Sequence, residues 1–137
     1  MSNESPITVF YEKFYIDSVS RHIPALFKSN EIDNIAIKRY WQNSVDGFLA
    51  YPCITYITCI SGDVRIVIPY EQGNGYKFNQ YFISELDGKV IKIPNNIWFG
   101  INNMKGTEST VIIGSSKTVE PKRMDKDIFK WGCSYPL

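Results

Sequence analysis

The sequence holds a single histidine, His22, inside Ser20-Arg21-His22-Ile23-Pro24. One imidazole cannot complete the coordination sphere of a catalytic metal built on two or three histidines and a carboxylate. No metal or other cofactor is therefore expected, and His22 reads as a surface or loop residue rather than a base. Acid chemistry would fall instead to phenols. Tyr40, Tyr51 and Tyr56 are candidates, although tyrosine equally serves to fill the rim of a sheet. Lys38 and Arg39 are adjacent, so on a strand only one of them can point inward. If Arg39 shares its face with Ile37 and Trp41, a guanidinium beside an aromatic plane suits a phosphate or a nucleobase; on an edge it is a solvated charge. Trp98 and Phe99 follow the Asn95-Asn96 turn and can stack on a sugar or base, or plug a cavity. Gly73-Asn74-Gly75 has the glycines of a phosphate loop and also those of a hairpin turn, and the turn is the better reading.

The elements that must position these residues are strands. Nine Tyr, eight Phe and three Trp, with many Ile and Val, favour sheet over helix. Over residues 7–16, Phe10, Glu12, Phe14 and Ile16 take one face while Val9, Tyr11, Lys13 and Tyr15 take the other, a period of two that predicts a first strand. Seven more are predicted over 35–41, 54–60, 64–70, 76–85, 90–93, 98–102 and 110–115, eight in all. The breaks between them, Ser61-Gly62-Asp63, Asn74-Gly75, Asp87-Gly88 and Asn95-Asn96, tolerate positive φ, so successive strands are expected to pair antiparallel. A helical period is confined to one or two turns around 124–131, after Pro121. Short strands with no room for βαβ crossovers predict an all-β sandwich or jelly-roll barrel, in one domain spanning 1–137.

Composition narrows the function classes. Fifteen Lys and Arg balance fourteen Asp and Glu for a net charge of +1, with no basic cluster for nucleic acid or an anionic membrane. Hydrophobic residues make up 44% and charged residues 21%, which excludes disorder, and no apolar run approaches the ~18 residues of a membrane span. MSNESPITVF has neither a basic nor an apolar leader region, so a cytoplasmic location is expected. Cys53, Cys59 and Cys133 are an odd set without C-x-x-C spacing, against a disulfide framework or a cysteine zinc site. In the strand at 54–60, Ile54, Tyr56 and Ile60 face one side and Thr55, Ile57 and Cys59 the other, and neither side is polar. Its outer face therefore meets a partner subunit or an overlying N-terminal strand, or belongs to a central sandwich strand under a covering loop.

Several segments carry a resemblance. Residues 90–103, Val-Ile-Lys-Ile-Pro-Asn-Asn-Ile-Trp-Phe-Gly-Ile-Asn-Asn, resemble the "IPxGxWHGFxN" hairpin of the dTDP-4-dehydrorhamnose 3,5-epimerase-related cupins. Ala25-Leu26-Phe27-Lys28-Ser29-Asn30-Glu31 resembles that family's "ELFRxDE", Gly47-Phe48-Leu49 stands where it has "RGxH", and Cys59-Ile60-Ser61-Gly62-Asp63-Val64 resembles its "xxxGxV" turn. Glu120-Pro121 with Ile128-Phe129-Lys130-Trp131 resembles the closing "YxPxxExxIxW". The likeness covers about residues 20–131 in the family's order. The neighbouring sugar-nucleotide 3,4-ketoisomerases share it: Ile37-Lys38-Arg39-Tyr40 is similar to their "IKRVY", and Ile93-Pro94 with Ile97-Trp98 to "IPxxIW". The resemblance implies a cupin jelly-roll barrel, a homodimer with exchanged N-terminal strands, and a nucleotide-linked deoxysugar at the barrel mouth.

The same alignment removes the chemistry. Epimerisation beside a ketone needs a base, an acid and a group to stabilise the enolate oxygen. The family's base falls on Leu49, the arginine before it on Asp46, its lysine on Thr55, its tyrosine acid near Ile113 and the hairpin histidine on Phe99. In the ketoisomerase pattern the two histidines fall on Leu49 and Tyr51. No catalytic residue is therefore expected, and Arg39, Trp41, Tyr51, Thr55, Trp98 and Phe99 stand as the candidate substrate-binding residues. The expected function is an epimerase- or isomerase-like cupin of deoxysugar or surface-polysaccharide biosynthesis lacking the family's acid–base mechanism. The alternative is a non-catalytic carbohydrate-binding, regulatory or structural jelly roll.

Overall fold

Apolar residues recurring at every second position must bury one face of each strand, and two sheets stacked face to face let them do so together. The computed structural model describes residues 7–11, 15–16, 21–22, 32–73, 75–85, 87 and 89–124. Among them all regular structure is strand: β1 Thr8–Tyr11, β2 Tyr15–Ile16, β3 Arg21–His22, β4 Asn34–Tyr40, β5 Val45–Ala50, β6 Thr55–Ser61, β7 Asp63–Gln72, β8 Gly75–Ser84, β9 Lys89–Ile93, β10 Phe99–Asn103, β11 Ser109–Ser115 and β12 Lys122–Arg123. Two five-stranded sheets run in the orders β1-β9-β6-β11-β4 and β12-β5-β10-β7-β8, while β2 and β3 pair separately, Tyr15 opposite His22. Every pairing is antiparallel. The fold is the all-β jelly roll expected, built as two facing sheets that are not hydrogen-bonded into a closed barrel.

The core lies between the sheets. Ile57, Ile91, Ile93 and Ile113 from the first sheet meet Leu49, Ile66, Ile83, Phe99 and Ile101 from the second, each side chain essentially inaccessible to solvent. In β4 the alternation is clean, with Ile35 and Ile37 exposed and Tyr40 buried. In β6 Ile57 and Cys59 enter the core, while Tyr56 and Thr58, on the opposite face, are also buried within the single chain. The N-terminal strand β1 extends the edge of the first sheet by pairing with β9, Val9 opposite Ile91.

Three expectations are corrected. Successive strands do not generally pair: within the two five-stranded sheets only β7 and β8 form a hairpin, closed by Gln72 opposite Gly75, with Gly73 at φ 64°, and β2 with β3 is the other successive pair among the described residues. The turns at Gly62, at Asp87 and at Asn96 instead carry the chain from one sheet to the other. The positive-φ residue makes the bend, but burial of both sheets' apolar faces decides where the next strand lands. Second, the described parts of 7–16 pair with different partners, β1 with β9 and β2 with β3, and residues 12–14 lie outside the described residues. Third, β5 was not predicted, because Asp46-Gly47 interrupts the alternation with two poor strand formers. The helical turns around 124–131 and the third cysteine, Cys133, fall outside the described residues apart from Met124.

Candidate functional site: a carboxylate between the sheets

β4 closes the first sheet, and the chain crosses from it into β5 of the second through residues 41–44. Asn43, at φ 55°, makes the bend, and the Ser44 hydroxyl donates to the Trp41 carbonyl at 2.8 Å. Asn103 locks the crossing from below. Its amide donates to the Tyr40, Trp41 and Thr107 carbonyls at 3.0, 2.8 and 2.8 Å, and its carbonyl oxygen accepts from the Ser109 hydroxyl at 2.7 Å. A fully buried amide with all its capacity used holds the two sheets in fixed register here.

The crossing sets the inner face of β4 against β5. Asp46 Oδ2 accepts from the Tyr40 hydroxyl at 2.7 Å and from Lys38 Nζ at 3.0 Å, while Oδ1 accepts from Arg123 of β12 at 3.2 Å. Burial works to raise the Asp46 pKa, but the Tyr40 hydrogen bond and the Lys38 and Arg123 charges outweigh it and hold the carboxyl below its usual range. Burial, and then the Asp46 charge, push Tyr40 far above the ordinary phenol range, and the same two causes raise Tyr51. The cluster therefore contains an ionised carboxylate and two phenols that keep their protons. Such groups donate and accept hydrogen bonds, and the Tyr40 hydroxyl and the Asp46 carboxylate are already bound to each other. Lys38 and Arg123 each retain N–H donors beyond the one given to Asp46, and Arg123 is mostly open to solvent. Lys38 and Arg123 thus flank the Asp46 carboxylate, while the Glu120 carboxylate acts on the neighbouring Tyr51.

The candidate binding residues divide between this interior and the outside. Tyr51 and Phe99 are buried together, rings stacked with centroids 6.1 Å apart and 13° between planes. Thr55 is buried in β6, its hydroxyl donating to the Cys53 carbonyl at 3.4 Å. Arg39 shares its face with Ile37 and Trp41, but that face is the outer one; Lys38 is the member of the adjacent pair that turns inward. Trp98 lies at a separate surface cleft with Tyr70 and Tyr76. Leu49, Ile113 and Phe99, which stand where the resemblance puts a base, an acid and a histidine, are packed into the core. His22 lies in β3. Arg123 was not foreseen, since 77 residues separate it from Asp46 and only the topology joins them. Asp46 was visible only as a departure from an arginine.

With this geometry in hand, likeness to solved structures is informative. The chain superposes on a dTDP-6-deoxy-D-glucose-3,5-epimerase from Legionella pneumophila, solved with dTDP-4-keto-L-rhamnose, with a TM-score of 0.79, 10% identity, and coverage of 99% of this chain and 81% of that one. A 4-keto-6-deoxy sugar epimerase of the novobiocin cluster of Streptomyces spheroides gives 0.74 at 13% identity, covering 100% and 80%. A 3,4-ketoisomerase from Helicobacter canadensis gives 0.71 at 14%, covering 88% and 92%. The chain has their fold. At these identities the fold is what is shared, and the family resemblance read in the sequence motifs agrees with it. No protein-family model matches the sequence, and no curated protein matches it.

Proposed function

We propose that this chain is an epimerase/isomerase-like jelly roll of deoxysugar or surface-polysaccharide biosynthesis that binds a nucleotide-linked sugar without the family's acid–base mechanism. The observation that carries the reading is the burial of Leu49, Ile113 and Phe99 in the apolar core, beside a cluster whose carboxylate stays ionised and whose phenols stay protonated. Binding falls to the pair of cations at Asp46: Lys38 and Arg123 offer donors to a diphosphate, beside Tyr40 and Tyr51. A cytoplasmic homodimer belongs to the same proposal. Its support is an apolar outer face on the edge strand β4, where Ile35, Ile37 and the neighbouring Trp41 are 59%, 68% and 67% exposed.

Titration with dTDP-sugars and UDP-sugars tests the binding half. The wild type should bind one of these classes, and Arg123→Gln combined with Lys38→Met should weaken it about tenfold or more, as loss of charge-assisted hydrogen bonds requires. Equal affinity in the folded double variant, or no affinity for any nucleotide sugar, would refute the assignment.

A further inference from the structure

The second sheet carries a different kind of site at the end where β7 turns into β8. Glu71 and Tyr76 are directly opposed in that ladder, so their side chains leave the same face. That face is the outer one, since Ile66 and Ile68, at the alternate positions of β7, enter the core. Trp98 precedes the inward Phe99 and follows Asn96, whose φ of 63° bends the chain between β9 and β10. Tyr70, Tyr76 and Trp98, with Glu71 and Asn96, line an open cleft of about 400 Å³ that Pro69, Ile97 and Met124 complete. It shares no residue with the Asp46 cluster.

We propose that this cleft binds an uncharged pyranose ring of a saccharide. Three aromatic side chains supply flat apolar surfaces of the kind that cover the C–H face of a sugar ring, and a cavity of this size holds one or two such rings. The polar groups at the lip select the ligand further. The Glu71 carboxylate and the Asn96 amide are exposed and make no side-chain hydrogen bond among the described residues, which leaves an acceptor pair and an amide to meet vicinal hydroxyls. Among the described residues no Lys or Arg lines the cleft, and a phosphate would face the Glu71 carboxylate, which disfavours the nucleotide end of a sugar nucleotide here. A proline-rich peptide would also find aromatic walls. Its proline segments offer acceptors without N–H donors, however, and leave the acceptor-only carboxylate unmatched, whereas sugar hydroxyls both donate and accept. The inference stands apart from the nucleotide-sugar reading, which uses other residues, Lys38, Tyr40, Tyr51 and Arg123.

The experiment is titration of the full chain, followed by tryptophan fluorescence and by calorimetry, with maltotetraose, cellotetraose, tri-N-acetylchitotriose, dTDP and a decaproline peptide. At least one neutral saccharide should bind. Tyr76→Ala and Trp98→Ala, each shown to be folded by its circular dichroism, should each weaken it about tenfold, Trp98→Phe should retain most of it, and Glu71→Gln should weaken it several-fold. Arg123→Gln should leave it unchanged, which separates this cleft from the Asp46 cluster. No binding of any of these saccharides at millimolar concentration, competition by dTDP, or binding of decaproline in their place would overturn the proposal.

Discussion

Asp46 is charged at a place where burial opposes charge, and three donors explain why. Because its folded pKa lies below the unfolded value of about 4, the carboxylate contributes stability that is fully present above about pH 4 and is lost as pH falls through the depressed folded value. Asp46→Asn should therefore flatten the acid limb of a stability profile measured by urea unfolding from about pH 6 downward, and a limb parallel to that of the wild type would contradict the assignment. Asp46→Ala goes further, leaving the Tyr40 hydroxyl and the Lys38 ammonium without their partner at a cost of about 1–3 kcal/mol. Cys59 offers an independent check on the interior. Burial pushes its thiol up to about 12, so it should resist alkylation by iodoacetamide at about pH 8 until the chain is unfolded. At this scale the sequence was half legible. Tyr40 and Lys38 were visible as a phenol and one of two competing cations, but their meeting with Asp46 and Arg123 depends on a crossing between sheets that no local spacing encodes.

At the scale of elements, seven of the expected strands have counterparts displaced by only a residue or two, because strict alternation with Ile, Val, Tyr and Phe leaves few other ways to bury one face. The connections were not legible. Gly62 shows the reason: at φ 86° it turns the chain from β6 to β7, and a Cβ there would overlap the Ser109 side chain packed against it. The glycine announces a bend, while the destination of the bend is fixed by Ser109 and by which sheet has room. Gly73 has φ 64° but open space around it. Gly62→Ala should thus cost about 2–3 kcal/mol and Gly73→Ala about 1 kcal/mol. Thermal unfolding of the two variants side by side checks this, and equal losses would show that close packing at Gly62 adds nothing.

For the whole molecule, the apolar outer face of β4 is the feature that a solitary sandwich leaves unexplained. Ile37→Glu should convert the expected dimer to a monomer in sedimentation at micromolar concentration without lowering the unfolding temperature extrapolated to low protein concentration. A wild type that sediments as a monomer at every concentration would remove the dimer from the account. The proposed function concerns the molecule as a whole too, since it joins a fold shared with epimerases and isomerases to an interior in which Leu49, Ile113 and Phe99 pack into the core. General acids and bases typically contribute about 10²–10⁴-fold each, so under this proposal no measurable proton exchange is expected. The most direct measurement is proton NMR of a dTDP-4-keto-6-deoxyhexose incubated with saturating protein in deuterated buffer. The account predicts broadening of the sugar-nucleotide signals by binding with no deuterium entering C3 or C5 above the protein-free rate; exchange at either carbon faster than that background would contradict it.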